Sequence, residues 1–184
     1  MYSLESYIFV VAIASVGSAQ DTAKQPLKVV PDVDLSRYVG TWYEIARLPN
    51  SFQSKCVSNV TATYTLLDDG DILVVNRCRK ENGEIQEAKG LAKLATKDGS
   101  NSKLKVRFAP AILSFLPFVW GNYWIILLAP DYSYAVIGEP DRRYLWILSR
   151  TPSMVEPILQ GILEEVKQNG YELSGLVRTN NAPK

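Results

Sequence analysis

From Trp42 onward, strand-length runs follow one another with a turn signal between each pair, at the spacing of an all-β barrel or sandwich. Residues 57–67 (VSNVTATYTLL) alternate small, β-branched and aromatic side chains; Asp68-Asp69-Gly70 turns the chain, and 72–77 (ILVVNR) returns as the second half of a hairpin. Asn82-Gly83 turns ahead of 85–95, residues 98–102 turn ahead of 103–108, and 123–128, 134–138 and 144–149 complete about eight strands. Links this short make sequential strands antiparallel neighbours. Residues 152–169 then change period. Ser153 is placed to cap a helix, Ile158, Ile162, Leu163 and Val166 form its apolar stripe, and Gly170 stops it. Residues 171–178 read as a short final strand or an extended tail.

One helix does not fit inside a barrel of that size, so it is expected to pack its stripe on the outer wall. Eight antiparallel strands closed on themselves leave an interior large enough for one small ligand. Composition narrows what that interior can do. The 184 residues suit one domain, 47% are apolar, and a net charge of +1 argues against nucleic acid as a partner. The chain has no histidine, which removes Ser-His-Asp and Cys-His catalysis and the commonest zinc ligand. Two cysteines, Cys56 and Cys78, are too few for a metal cluster, so neither metal nor cofactor is expected.

Residues 7–16 (YIFVVAIASV) form an apolar run followed by small residues up to Ala19, the pattern of an export signal over 1–19, although Glu5 stands where a basic residue is usual. A disordered N-terminus is the bland alternative. Residues 20–31 are polar and proline-punctuated, a linker, which leaves 32–184 as the domain. No cysteine follows the apolar run, so an N-terminally lipidated lipoprotein is not expected. Periplasm or secretion is the expected location, with peripheral contact at an outer membrane. Export makes a Cys56–Cys78 disulfide the default, and two buried free thiols the alternative. Asn59-Val60-Thr61 matches the glycosylation tripeptide, which matters only in a eukaryotic secretory pathway.

Three separated blocks carry a resemblance: Gly40-x-Trp42-Tyr43, Pro130-Asp131-Tyr132, and Leu148-Ser149-Arg150-Thr151-Pro152. With Thr61-Ala62-Thr63-Tyr64 and residues 140–148 they match from about Asp32 to about Leu176, in order. On these blocks the sequence resembles the lipocalins, most closely the bacterial outer-membrane lipocalins, with apolipoprotein D and the plant temperature-induced lipocalins as relatives. The resemblance implies an eight-stranded antiparallel up-and-down barrel with one C-terminal helix outside it. It also implies a structural signature of Gly40, Trp42 and Arg150 at the closed end. Period two puts Tyr144, Trp146, Leu148 and Arg150 on one face, so an inward Arg150 needs a partner, and an indole is a favourable one.

The expected ligand-binding residues are Asn76, Gly90, Ala92, Phe108, Tyr123, Tyr144 and Trp146. Trp146 and Tyr144 offer aromatic surface, and Tyr123 faces them from another wall. Asn76 is either a lone polar group in an apolar pocket or a wet strand end. Gly90 and Ala92 either leave volume for a ligand or ease curvature. The set suits an elongated amphiphile, and the resemblance implies fatty acids or lysophospholipids, stored or transported for envelope or membrane maintenance. Residues 109–120 (APAILSFLPFVW) carry Ile112, Leu113, Phe115, Leu116 and Phe118, too many apolar side chains for a solvated loop. A lid, a membrane contact and a homodimer contact are its three uses; folding back as core is the bland reading. An enzyme is not expected, because Cys78 is the one candidate nucleophile and a disulfide disarms it. A lipocalin-like enzyme, or a module that binds partners through the loop, remains the alternative.

Overall fold

The computed structural model describes residues 25–95, 101–113 and 116–181. The expected export signal, residues 20–24 of the expected linker, and Phe115 lie outside the described residues. The chain lays down α1 (Leu35–Tyr38), then β1 (Gly40–Arg47), β2 (Ser58–Leu66), β3 (Ile72–Arg79), β4 (Ile85–Leu94) and β5 (Lys103–Arg107). It continues with β6 (Gly121–Leu128), β7 (Tyr134–Gly138), β8 (Leu145–Ser149), α2 (Glu156–Gln168) and β9 (Val177–Arg178). Sequential strands from β1 to β8 pair antiparallel, and β8 pairs back onto β1, which closes the barrel. The strands thus form in the segments where the alternation and turns place them.

Period two sorts the side chains into two cores. Trp42, Tyr64, Ile72, Val74, Ala92, Leu104, Ile125, Ala135, Ile137 and Leu148 fill the interior. Ile45, Ala46, Val136, Leu145 and Ile147 face outward and are covered by α2 through Leu159, Ile162, Leu163 and Val166. Each of these helix side chains contributes about 1.5–3 kcal/mol by leaving water. The expected stripe is off by one position at its start, since Leu159 is buried and Ile158 is 46% exposed. Ser153 is not the cap either. The helix begins after Val155 with no side-chain cap, because Pro157 in its first turn presets the backbone and lacks the N–H a cap would satisfy. Gly170, at φ +84°, ends it as expected.

Two irregularities shape the upper part of the barrel. The register between β1 and β8 shifts between Glu44 and Ala46, a bulge that puts Glu44 opposite Leu148 and Arg47 opposite Trp146, both on the inner face. In addition, β2 pairs with β1 only as far as Tyr43↔Thr61. Above that point the C-terminal tail fills the seam. β9 pairs with Ala46 and Arg47, Thr179 N–H donates to Ile45 O, and Asn59 N–H donates to Asn180 O. Residues preceding α1 also pack on the barrel: Leu27 joins the outer core and Val30 N–H donates to Ile125 O.

Candidate functional site

The barrel has a sealed end and an apolar-rimmed end. At the sealed end, Asp34 caps α1 by accepting from Ser36 N–H and Arg37 N–H, and Tyr38 turns inward. Gly40, at φ +96°, lets the chain leave α1 for β1, and a Cβ there would sit 3.3 Å from Arg150 Nη1. Trp42 is wholly buried, its Nε1–H donating to Tyr38 O at 2.8 Å. The Arg150 guanidinium lies 3.8 Å from the Trp42 ring centroid and donates to the carbonyls of Thr41, Arg37 and Tyr38. Arg150 therefore locks the last turn of α1 onto β1 while its charge rests on an indole face.

Above this plug, three tyrosines form the floor. Tyr123 OH shares hydrogen bonds with Tyr38 OH at 2.7 Å and Tyr64 OH at 2.8 Å. Burial pushes the Tyr64 phenol up to about 12, and holds Tyr38 and Tyr123 well above the ordinary tyrosine value. The floor cavity, lined by these tyrosines with Ile72, Val74, Ala92, Leu104 and Val106, is about 10 Å³, room for about one water molecule.

The other end is built from side chains that meet at the mouth. Tyr144 and Trp146 stack at 6.0 Å, and Phe52 tilts against both at 5.5 and 6.1 Å. The Phe108 ring lies on Gly90, where any Cβ would meet it at 2.8 Å. A disulfide joins Cys56, in the β1–β2 loop, to Cys78 on β3, across a Cα–Cα distance of 5.5 Å. Around the rim, Phe52, Val57, Ile85, Phe108, Ile112 and Phe118 are all exposed, Ile112 at 79% and Phe118 at 78%. These loops leave apolar side chains in water where most of a protein surface would not.

A polar network crosses the inner wall below this rim. The Glu44 carboxylate, 2% exposed, accepts from Arg47 Nη1 at 3.0 Å, Gln53 Nε2 at 2.8 Å and Thr179 Oγ1 at 2.5 Å. Gln53 Oε1 accepts in turn from Trp146 Nε1 at 2.8 Å and Asn50 Nδ2 at 2.9 Å. Asn76 shares the inner face of β3 with Val74 and Cys78, and its Oδ1 is buried.

The structure thus places the expected ligand residues in two groups. Tyr144, Trp146, Phe108, Gly90 and Asn76 belong to the mouth and upper wall, whereas Tyr123 and Ala92 belong to the floor. Gly90 serves Phe108, whose ring occupies the space a larger residue would take. Of the loop residues, Ile112 and Phe118 are well exposed, Leu113 is 36% exposed and Leu116 is half-buried. Glu44, Arg47, Gln53, Phe52, Tyr38 and Tyr64 were not among the expected site residues. Glu44 was findable as a carboxylate two residues from Trp42 on the same face; Arg47 was not, because strict alternation turns it outward.

Comparison with known proteins agrees with this geometry. A family model described as a lipocalin-like domain matches residues 33–181. Temperature-induced lipocalin-1 of Arabidopsis thaliana is 42% identical over 159 residues, covering 86% of this chain and 84% of that one. Outer membrane lipoprotein Blc of Citrobacter freundii is 40% identical over 167 residues, covering 90% of this chain and 89% of the relative. Among solved structures, insecticyanin from the tobacco hornworm Manduca sexta superposes with a TM-score of 0.65 at 23% identity, over 85% of each chain, a likeness of fold.

Proposed function

The chain belongs to the lipocalin family, and from that premise we propose that it binds a small amphiphilic lipid in its barrel, storing or carrying it for membrane maintenance. Lipocalins bind small hydrophobic ligands, and the interior of this one is graded to suit an amphiphile. The observation that carries the reading is that gradient. Ile72, Val74, Ala92, Leu104 and Val106 give the lower inner wall an aliphatic lining above the tyrosine floor, while Trp146, Gln53, Glu44 and Arg47 bring aromatic and polar groups to the mouth side. The floor cavity holds about 10 Å³, so an acyl chain enters by displacing the Phe108 ring and spreading the aliphatic wall.

Binding, and not catalysis, fits the residues. Cys56 and Cys78 are joined, which occupies the thiol that an enzymatic alternative needs, and the Glu44 carboxylate is engaged by three donors. The disulfide suits an exported protein. One relative is named an outer membrane lipoprotein, which supports a place in the envelope or outside the cell. The exposed apolar rim then faces the lipid surface from which the ligand is collected, through Ile112 and Phe118.

Titration with palmitoyl lysophosphatidylcholine below its micelle concentration tests the proposal. Trp146 fluorescence should change saturably, and Trp146→Phe should remove most of that signal. Absence of saturable binding by any of lysophospholipid, fatty acid or monoacylglycerol would sink the reading.

A further inference from the structure

Period two gathers on one outer face cations that the sequence keeps apart. Ala92, Leu104 and Val106 line the floor cavity, so their alternates Lys103, Lys105 and Arg107 on β5, with Lys89 and Lys93 on β4, stand on the outside of the barrel. Lys93 and Lys105 are direct partners across the two strands, a pairing of like charges that a sheet disfavours. The fold does not neutralise it. Glu87, on the same face of β4, is taken by Arg77 and Lys89. Lys93, Lys103, Lys105 and Arg107 pair with no carboxylate among the described residues. They rest on neutral groups instead. Lys93 Nζ lies 4.2 Å and the Arg107 guanidinium 5.2 Å from the Trp120 ring centroid, and Lys103 Nζ lies 4.6 Å from that of Trp124. Lys105 Nζ donates to Asn122 Oδ1 at 2.6 Å. The whole chain carries a net charge of +1, so this positive field is local. Glu164 and Glu165 are exposed on α2, which covers β1, β7 and β8, whereas β4 and β5 occupy the opposite arc of the barrel.

The basic wall runs straight into the apolar rim. β5 leads into residues 109–120, Arg107 Nη1 donates to Ala109 O at 2.6 Å at the root of that loop, and Trp120 ends the loop against Lys93 and Arg107. Passing from Ile112 and Phe118 through Trp120 to Lys93 and Lys105, the surface changes from exposed hydrocarbon to an indole to ammonium groups. A bilayer changes in the same order, from acyl chains through the level where indoles settle to the charged head groups. Lys105 is two residues from Arg107, about 7 Å down the strand, within the Debye length of about 8 Å at physiological salt. Arg107 is 7% exposed and adds to the field from beneath Trp120, while Lys89 and Lys93 are exposed and able to meet head groups. An acidic protein or a nucleic acid would match the cations and leave Ile112 and Phe118 in water; an anionic bilayer uses both. Resting on the reading of the rim as lipid-facing, we infer that the outer wall of β4 and β5 is a docking surface for an anionic bilayer, holding the barrel with its apolar loop in the membrane.

The test is flotation of the full chain with phosphatidylcholine vesicles and with vesicles holding about 30 mol% phosphatidylglycerol, at about 20 mM and about 500 mM NaCl. At low salt the wild-type chain should partition about tenfold more strongly onto the anionic vesicles, and high salt should reduce that gain to about twofold or less. Lys93→Gln with Lys105→Gln should lose most of the gain while binding to phosphatidylcholine stays within about twofold. Lys93→Arg with Lys105→Arg keeps the charge and should keep the gain. Ile112→Ser with Phe118→Ser should weaken binding to both vesicles, which separates the rim from the wall. Equal partition onto the two vesicles at low salt, or a glutamine variant with the full gain, overturns the docking surface and leaves the rim's contact standing. Binding to soluble polyglutamate with no gain on anionic vesicles overturns it in favour of an acidic protein partner. If the glutamine variant does not fold, the salt dependence of the wild-type chain decides. Binding to neither vesicle overturns this inference together with the membrane-facing rim, while the lysophosphatidylcholine titration still judges lipid binding in the barrel separately.

Discussion

The two ends of this barrel are made from similar residue types and do opposite things. At the floor, Trp42, Tyr38 and Tyr64 are buried and Tyr123 is half-buried, and every one has its polar atom hydrogen-bonded within the group or to backbone. At the mouth, Phe52 and Phe108 are 56% and 44% exposed, and the polar side chains nearby leave Arg47 Nε and Asn76 Oδ1 without partners. Aromatic content therefore does not identify a binding site. What separates the ends is completeness: a satisfied aromatic cluster stabilises the fold, and an unsatisfied one is available to a ligand or a membrane.

The difference is sharpest if the floor is broken. Trp42→Ala removes a wholly buried indole together with the surface on which Arg150 rests, and should cost about 3–5 kcal/mol of stability in urea unfolding. A loss smaller than about 1 kcal/mol would mean that the plug is not what holds the sealed end.

The tyrosine floor makes stability sensitive to alkali. The folded Tyr64 phenol is raised from 10.0 to about 12, so the unfolded chain releases this proton at a lower pH than the folded one. Stability should be at its full value below about pH 10 and fall progressively as pH rises toward 12, with Tyr38 and Tyr123 adding to the slope. Tyr64→Phe should flatten that fall. A melting temperature independent of pH across this window would show that the floor is wetter than its geometry implies.

The smallest stability effect belongs to the rim. Ile112→Ser with Phe118→Ser should leave the unfolding free energy within about 0.5 kcal/mol, since both side chains are already in water. Co-flotation with neutral liposomes should nevertheless be lost. Flotation equal to wild type would assign the rim to something other than a lipid surface.

How much of this was legible in the sequence differs between the ends. Strand patterning and turn signals located β2 to β8, the Gly40-x-Trp42-Tyr43 block placed β1, and period two put Trp146 and Leu148 inward. Period two showed that an inward Arg150 needs a partner, and the family resemblance supplied Trp42 as that partner, 3.8 Å away in the structure. Tyr123 was legible as inward but not as part of the floor, because its hydroxyl partners come from α1 and β2, remote in sequence. Arg47 was hidden by the bulge at Ile45, a one-residue shift with no glycine to mark it. The tail was readable as a short strand, but not as the piece of wall between β1 and β2 that brings Thr179 to Glu44.

By itself, then, the sequence determined the barrel, its outer helix, its sealed end and its family, because these rest on periodicity and on motifs that local geometry enforces. The tertiary structure alone decided which polar atoms are left unpaired. That property depends on register shifts and on neighbours from distant strands, and one residue of slip exchanges the inside of a barrel for its outside.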